Sequence, residues 1–539
     1  MHYAVSVDQH PSRLTTRTDP DKVADVLGGY FESLASIDKY EPDFKRRIQP
    51  SRMSIRNLVI PTDVRNLQIN EAFSFSELLH SLSCSNGRSA GPDGIGYPLL
   101  KYLPASGKSK LLELFNKIWT EDYYPHEWKE SIVIPIPKPN STGREPANFR
   151  PISLTCCMAK VFERMVNRRL RQHLEIGQHL DNRQHAFRAG FGTNTYFATL
   201  GQTLKEAQDE GMHTEIISLD IAKAFNRTWT PLVLQRLIET GLNGHIIRFV
   251  QNFLTERTFR VAIGNTLSRR FQEETGVPQG SILAVTLFLV AMNSVFDNLP
   301  SNIYIFVYAD DVLLVIPGRT LVRTRIKAQA AVNAVAKWAS SMGFQLSAPK
   351  SVRCHVCSSG HRIQGPPIRI SNQQIPLKNT VRILGVLLDR KLTFRQHFET
   401  VKNNCRTRLN LIRTISKPHR TNNRAIRFRV AQAIIDSRLL YGLELTCLAL
   451  DRLVNSLSPI YNGYIRTISG LLPSTPADAA CAEAGLIPFR HRISIALCTK
   501  AAAFIAKTTG DDRIYLLEEA CRVLRIAAGE DLPPVAKIH

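Results

Sequence analysis

The sequence predicts an α+β fold: a mixed core of strands and helices, followed by a basic helical lobe. Three observations predict it. Short runs rich in β-branched and aromatic residues recur at His213–Leu219, Ile303–Ile316, Val352–Cys357 and Val381–Asp389, and read as strands. Between them lie segments with apolar residues at helical spacing, such as Met158–Leu170 and Ala328–Ser341. Beyond residue 389 the character changes to helices rich in Lys402, Arg406, Arg408, Arg413, Arg424, Arg427 and Arg429.

With 539 residues the chain is long enough for several lobes, and its 44% apolar content is that of an ordinary globular protein. The net charge of +23 is the outlier. An excess of this size attracts polyanions, nucleic acid first among them, although a basic surface also serves solubility. The N-terminal residues lack the apolar core of a signal peptide, and the longest apolar run, Ser281–Met292, is too short to span a bilayer. A soluble, intracellular protein without a membrane partner is expected. The ten cysteines are scattered and read as reduced thiols. Cys354-x-x-Cys357 with His361 behind has metal-like spacing, but the neighbouring sequence offers no fourth ligand.

In chain order, Lys22–Ser36 reads as a helix within an otherwise connector-like stretch up to about residue 70. Gly91-Pro92-Asp93-Gly94 is a turn signal, and Ser109–Trp119 a helix. Ser131–Pro139 (SIVIPIPKP) is extended, its prolines placing it at a sheet edge or on a protruding ribbon. Met158–Leu170 is amphipathic, with Arg164, Arg168 and Arg171 opposite its apolar stripe. His213–Leu219 is a strand ending at Asp220. The turn Pro278-Gln279-Gly280-Ser281 enters an apolar helix from Ile282 to about Phe296.

Then comes IYIFVYADDVLLVI (Ile303–Ile316), a hairpin with Tyr308-Ala309-Asp310-Asp311 at its tip. Adjacent aspartates between such apolar strands are costly unless a cation neutralises them or water reaches them. Asp220, at the end of another strand, supplies a third carboxylate; in isolation it would serve equally well as a helix N-cap. Three carboxylates from two adjacent strands can hold two divalent cations about 3.5–4 Å apart. Mg²⁺ suits such hard oxygen ligands and leaves room for phosphate oxygens.

From about Ser89 to about Arg492 the chain resembles the reverse transcriptases of non-long-terminal-repeat (LINE-type) retrotransposons, closest in style to the jockey, I and R1 groups. The resemblance rests on ordered motifs: AGPDGI (Ala90–Ile95), IPIPKP (Ile134–Pro139), NFRPISL (Asn148–Leu154), QHAFRAG (Gln184–Gly190), LDIAKAF (Leu219–Phe225), GVPQGSIL (Gly276–Leu283), YADD (Tyr308–Asp311) and ILGVLLD (Ile383–Asp389). Ser469–Arg492 also resembles the region after the thumb in this family.

The resemblance implies a right-hand polymerase. A connector spans residues 1–70, fingers and palm 71–395, a helical thumb 396–470 and a helical extension 471–539. It implies RNA-directed DNA polymerase activity with two Mg²⁺ ions, for which Mn²⁺ can substitute. The partners would be an RNA template, a DNA primer or target DNA, and dNTPs, in a nuclear or cytoplasmic ribonucleoprotein. Asp220, Asp310 and Asp311 would be catalytic metal ligands, with the Ile221 carbonyl beside them. Lys138, Arg150, Phe225, Gln279, Gly280 and Lys350 would bind the nucleotide: Lys138 and Arg150 gripping the triphosphate, Phe225 excluding a ribose 2′-hydroxyl, and Lys350 protonating pyrophosphate. Tyr308, Lys402, Arg406 and Arg413 would contact template and primer. On the helix carrying those last three, Phe398, Val401, Cys405, Leu409 and Ile412 form the apolar face.

Departures from the family pattern are Asn226 where many relatives have Asp, Ala284-Val285 in place of Ser-Pro, and Phe191-Gly192 in a usual Gly-Arg-Ser-Thr run. None removes a metal ligand. Neither an endonuclease nor an RNase H segment is recognised, and the chain reads as a fragment, a truncated copy or one translated piece of an element. The alternatives are a catalytically decayed nucleic-acid-binding remnant and an RNA-dependent RNA polymerase, which tends to carry a carboxylate where Phe225 stands. A group II intron maturase matches less well in GVPQGSIL and after the thumb.

Overall fold

The computed structural model describes residues 5–7, 15–17, 19–48, 68–87, 89–138, 145–297, 299–301, 303–357, 366–415 and 424–505. They fall into two compact units, one of residues 1–184, 221–299 and 334–346, the other of residues 185–220, 300–333 and 347–539. His361 lies outside the described residues.

The first unit is built on a five-stranded sheet. Its order runs Phe149–Leu154, Glu130–Pro137, Arg257–Ile263, Thr266–Leu267, with Phe271–Glu273 also pairing Arg257–Ile263. The proline-bearing strand is not simply an edge. Its first half, Glu130–Val133, runs parallel to Thr258–Val261, while Pro135 and Pro137 lie past the end of that ladder, paired only with Pro151 and Phe149. The missing N–H groups thus fall where the sheet has narrowed to a two-stranded ribbon.

Residues before 70 were expected to be mostly connector, yet the described ones are folded and packed. Asp19 caps, and Pro20 begins, the helix Pro20–Leu34, which buries Val23, Ala24, Leu27 and Phe31 against Val133, Phe259, Val261 and Phe271. Tyr40, Phe44 and Ile48 close over Trp229. The predicted helices at 109–119 and 158–170 run longer, as Ala105–Thr120 and Cys157–Ile176. Their Phe115 and Phe162 rings stack with centroids 4.8 Å apart.

The second unit holds a four-stranded, wholly antiparallel sheet in the order Val352–Val356, His213–Asp220, Asp311–Gly318, Tyr304–Tyr308. The period-2 alternation of strands sends Ile216, Leu313, Val315, Phe306 and Cys354 into one core with Tyr196, Phe197, Leu200 and Leu204 of the helix Thr193–Asp209. That core continues into the basic C-terminal helices. In Arg395–Ile415 the side chains of Phe398, Cys405, Leu409 and Ile412 are buried and Val401 packs beside them, as the apolar stripe predicts. Leu450–Ser469 contributes Leu453, Leu457, Tyr461, Tyr464 and Ile468 to the same cluster.

One predicted strand is two. Val381–Asp389 folds as a hairpin, Thr380–Ile383 against Val386–Asp389, with Leu384 (φ 43°) and Gly385 (φ 93°) at the turn. Gly385 is the local signal that a continuous apolar run masked. Among the described residues no helix is long and apolar enough to cross a membrane.

Candidate active site

The central strand His213–Asp220 and its neighbour Asp311–Gly318 are in a register that sets Asp311 directly opposite Asp220. Side chains so placed have Cβ atoms roughly 4.5–5.5 Å apart. Asp311 is also paired with Tyr308, so the hairpin loop is only Ala309-Asp310, and Asp310 stands at the turn beside the other two. Ala309 takes φ 58°, a left-handed conformation that a two-residue hairpin demands and that a residue with a Cβ resists. The three predicted carboxylates therefore converge.

Their electrostatics suit a cation. Among the described residues none of the three makes an ion pair. Lost solvation, then the charges of Asp310 and Asp220, push the Asp311 carboxyl up to about 6, even though its side chain keeps access to solvent. Asp310 is raised by lost solvation and by the charge of Asp220, against the opposing effect of its own backbone N–H. Clustered carboxylates that repel one another without a positive partner are a donor set for divalent cations, and all-oxygen ligation selects Mg²⁺ or Mn²⁺.

Two supporting residues, one in each unit, were missed by the sequence reading. Ser351, fully buried, accepts the Asp220 backbone N–H at 3.1 Å and donates to the Ser347 carbonyl at 2.8 Å. The Ser347 N–H in turn donates to the Asp220 carbonyl at 2.9 Å. Asp220 is thus a clamped strand end and not a helix cap. Lys350, next to Ser351, is exposed. Tyr308 is half-buried, its ring edge-on to Tyr196 with centroids 6.1 Å apart.

The second missed residue lies in the first unit. Glu163 is buried on its helix, with the polar Asn167 one turn further along the same buried face. Its Oε2 accepts from Ser281 Oγ at 2.5 Å and from the Ile282 N–H at 2.9 Å. A carboxylate at the start of the helix Ile282–Asn293 complements the helix dipole and fixes the preceding turn. Ser281 is the N-cap, its Oγ accepting from the Ala284 N–H. The sequence signal for Glu163 was an acid at the edge of an apolar stripe.

Around that turn the first unit gathers its nucleotide-side candidates. The Gln279 carbonyl accepts from Ser153 N–H at 2.9 Å, and Gly280 (φ 138°) lies so close that a Cβ would come within 2.1 Å of the Ser153 carbonyl oxygen. Only glycine fits there. Gln279 Nε2 reaches Asn226 Oδ1 at 3.4 Å, and the Phe225 carbonyl accepts from Val277 N–H at 3.0 Å. A cavity of about 20 Å³ lies among Pro151, Ser153, Asn226, Gly276 and Gln279. Phe225 is half-buried, stacked on Phe288 with centroids 4.1 Å apart. On the ribbon, Arg150 faces Ile136 and is exposed; Lys138, also exposed, turns its Nζ to the Ala147 carbonyl at 2.7 Å. Ile221 is buried and bridges to Leu346. In the C-terminal lobe Arg406 and Arg413 are exposed, while Lys402 is half-buried and pairs with Glu399 at 2.7 Å.

Residues 136–388 match the family model described as reverse transcriptase (RNA-dependent DNA polymerase). The chain carries a reverse transcriptase domain. It is homologous to the reverse transcriptases of non-long-terminal-repeat retrotransposons of Drosophila, among them jockey, X-element, BS and R1. A probable RNA-directed DNA polymerase from transposon X-element of Drosophila melanogaster is 29% identical over 72% of this chain and 42% of its own length. The RNA-directed DNA polymerase from mobile element jockey of the same species is 25% identical over 71% of this chain and 42% of its own. The corresponding BS protein is 23% identical over 81% and 47%. The chain thus spans a little under half the length of these relatives. A telomerase from Candida albicans, in complex with a fragment of telomeric RNA, aligns over 78% of this chain and 69% of its own at 12% identity; the TM-score of 0.33 is too low to carry an argument.

Proposed function

We propose that this chain is the RNA-directed DNA polymerase of a non-long-terminal-repeat retrotransposon, adding dNMP from dNTP to a primer 3′-end on an RNA template. The observation that carries the reading is the register of Asp311 opposite Asp220 with Asp310 at the adjoining turn. Asp220, Asp310 and Asp311 would hold two Mg²⁺ ions, or Mn²⁺ in their place, with the Ile221 carbonyl alongside. When bound, the ions activate the primer hydroxyl and stabilise the leaving pyrophosphate.

The chain's own residues do the rest. Lys138 and Arg150, on the proline ribbon, grip the triphosphate, where cations act on developing charge. Gln279 and Gly280 present backbone to the nucleotide and template. Phe225, held against Phe288, stands where a ribose 2′-hydroxyl would clash, so that dNTPs are selected over rNTPs. Lys350 donates a proton toward pyrophosphate. Tyr308 supports the primer end, and Lys402, Arg406 and Arg413 follow the duplex backbone. In this reading residues 71–395 are fingers and palm, 396–470 the thumb and 471–539 an extension, and the protein works as a ribonucleoprotein in the nucleus or cytoplasm.

The test is extension of a DNA primer on an RNA template with Mg²⁺. Extension by the native chain with dNTPs, absent in Asp310→Asn, supports the reading. A preference for rNTPs would reassign it as an RNA polymerase, and binding of template and primer without incorporation in Mg²⁺ or Mn²⁺ would make it a decayed remnant.

A further inference from the structure

At the far end of the central strand, away from the aspartates, lies a second cluster that the polymerase reading does not use. His213 and Glu215 share one face of that strand. On the neighbouring strand, His355 is directly opposite Glu215, and Cys357 lies one step past the last pair, Val356 with Thr214, which sets it opposite His213. His213 Nδ1 and His355 Nε2 are 3.2 Å apart, and His355 Nδ1 is 3.0 Å from Glu215 Oε2. The ligand atoms of His213, His355 and Cys357 all lie within 4.8 Å of one another. His355 and Glu215 are fully buried, His213 and Cys357 half-buried.

We propose that His213, His355 and Cys357 bind a Zn²⁺ ion, with Glu215 as the hydrogen-bond acceptor that orients His355. A tetrahedral zinc with Zn–N near 2.0–2.1 Å and Zn–S near 2.3 Å requires roughly 3.3 Å between its two nitrogens and roughly 3.6 Å between nitrogen and sulfur. The imidazole separation already meets the first requirement. A carboxylate on the far nitrogen of a ligating histidine fixes the ring and leaves Nε2 free to bind metal. Glu215 is itself anchored, its Oε1 accepting from Arg353 Nη1 at 2.8 Å. Of the three ligands Cys357 also lines a cavity of about 300 Å³, with Gln208, Met212, Thr214 and Arg390, and a water would complete the four-coordinate set. Of the two cysteines in the Cys354-x-x-Cys357 spacing, only Cys357 joins the cluster. Cys354 lies on the opposite face of its strand, in the apolar core, with Sγ 3.7 Å from the Asn379 carbonyl.

Two nitrogens and a thiolate favour Zn²⁺ or Co²⁺ over Mg²⁺, so the site is chemically separate from the aspartates and stands whether or not the chain polymerises DNA. The ion would clasp the edge strand to the central strand at the end opposite the carboxylates. Binding releases the Cys357 proton and involves no redox step.

Titrating Co²⁺ into the full chain in Mg²⁺ buffer tests the site. One equivalent should give a near-ultraviolet thiolate-to-cobalt band and visible bands of a four-coordinate ion, displaced by Zn²⁺. Cys357→Ser should abolish the thiolate band, and His213→Asn should weaken Co²⁺ binding at least tenfold. Asp310→Asn should leave both unchanged. Because the ion ties two strands, Zn²⁺ should raise the Tm of the native chain by several degrees and that of Cys357→Ser by none. Absence of the band in the native chain, its survival in Cys357→Ser, or equal Zn²⁺ shifts in both proteins would overturn the proposal.

Discussion

The two ends of the strand His213–Asp220 lie roughly 23 Å apart at the usual rise per residue, and they handle charge in opposite ways. At the Asp220 end three carboxylates converge without an ion pair among the described residues. At the other end Glu215 is fully buried but matched twice, by Arg353 and by His355. A fold tolerates a buried charge when a partner in the chain neutralises it. An unneutralised cluster calls for something from outside the chain to complete it, and the contrast sets the proposed catalytic carboxylates apart from a carboxylate already paired within the chain.

The comparison can be broken at either end. Asp310→Asn is expected to lower primer extension by at least about ten-thousandfold, about 5 kcal/mol of barrier, measured under single-turnover conditions. At the paired end Arg353→Met should leave Glu215 buried with its strongest partner gone. It is expected to cost about 3–5 kcal/mol in urea unfolding, with much of that restored in the double variant Arg353→Met, Glu215→Leu. An additive double variant would show that the pair carries no coupling.

A buried group with neither arrangement gives a reference. His397 is buried, and desolvation, with the positive charge of Arg382 added, lowers its pKa to about 4. It is neutral in the folded chain and accepts the Leu387 N–H at 3.4 Å. The unfolded chain, with a histidine pKa near 6.5, binds the extra proton first as pH falls. Stability from this group is therefore complete above about pH 6.5 and is lost on descent to about pH 4, by about 3 kcal/mol. His397→Gln should remove that slope from the pH dependence of unfolding.

The smallest effect separates function from stability at the acidic end itself. In EDTA, Asp310→Asn should stabilise the fold by about 1 kcal/mol, because one of three like charges is gone and solvent screens the rest. The same substitution that ends catalysis would then raise the metal-free Tm. A lower Tm would mean that the aspartates are structurally paired after all.

The candidate motifs were largely legible because each is local. Tyr308–Asp311 is a single hairpin tip, and Pro278–Ser281 a single turn with its own cap, so alternation and turn chemistry located them. The supporting residues were not. Glu163 reaches a helix N-cap 118 positions later, and Ser351 holds a strand end 131 positions earlier. Neither belongs to a local pattern. The hairpin at Thr380–Asp389 was read as one strand because its turn is made from Leu384 and Gly385, with apolar residues on both sides. In Cys354-x-x-Cys357 the spacing was visible but the strand geometry was not, and three steps along a strand send the two thiols to opposite faces.

By itself the sequence determined the alternating strands, the helix stripes, the turns and the acidic motif, since each follows from the chemistry of residues a few positions apart. The tertiary structure alone decided which carboxylate faces which, which acid caps which helix and which cysteine lies beside the histidines. Those depend on the register of strands paired across about ninety to one hundred and forty residues, and a shift of one residue would turn every side chain to the other face.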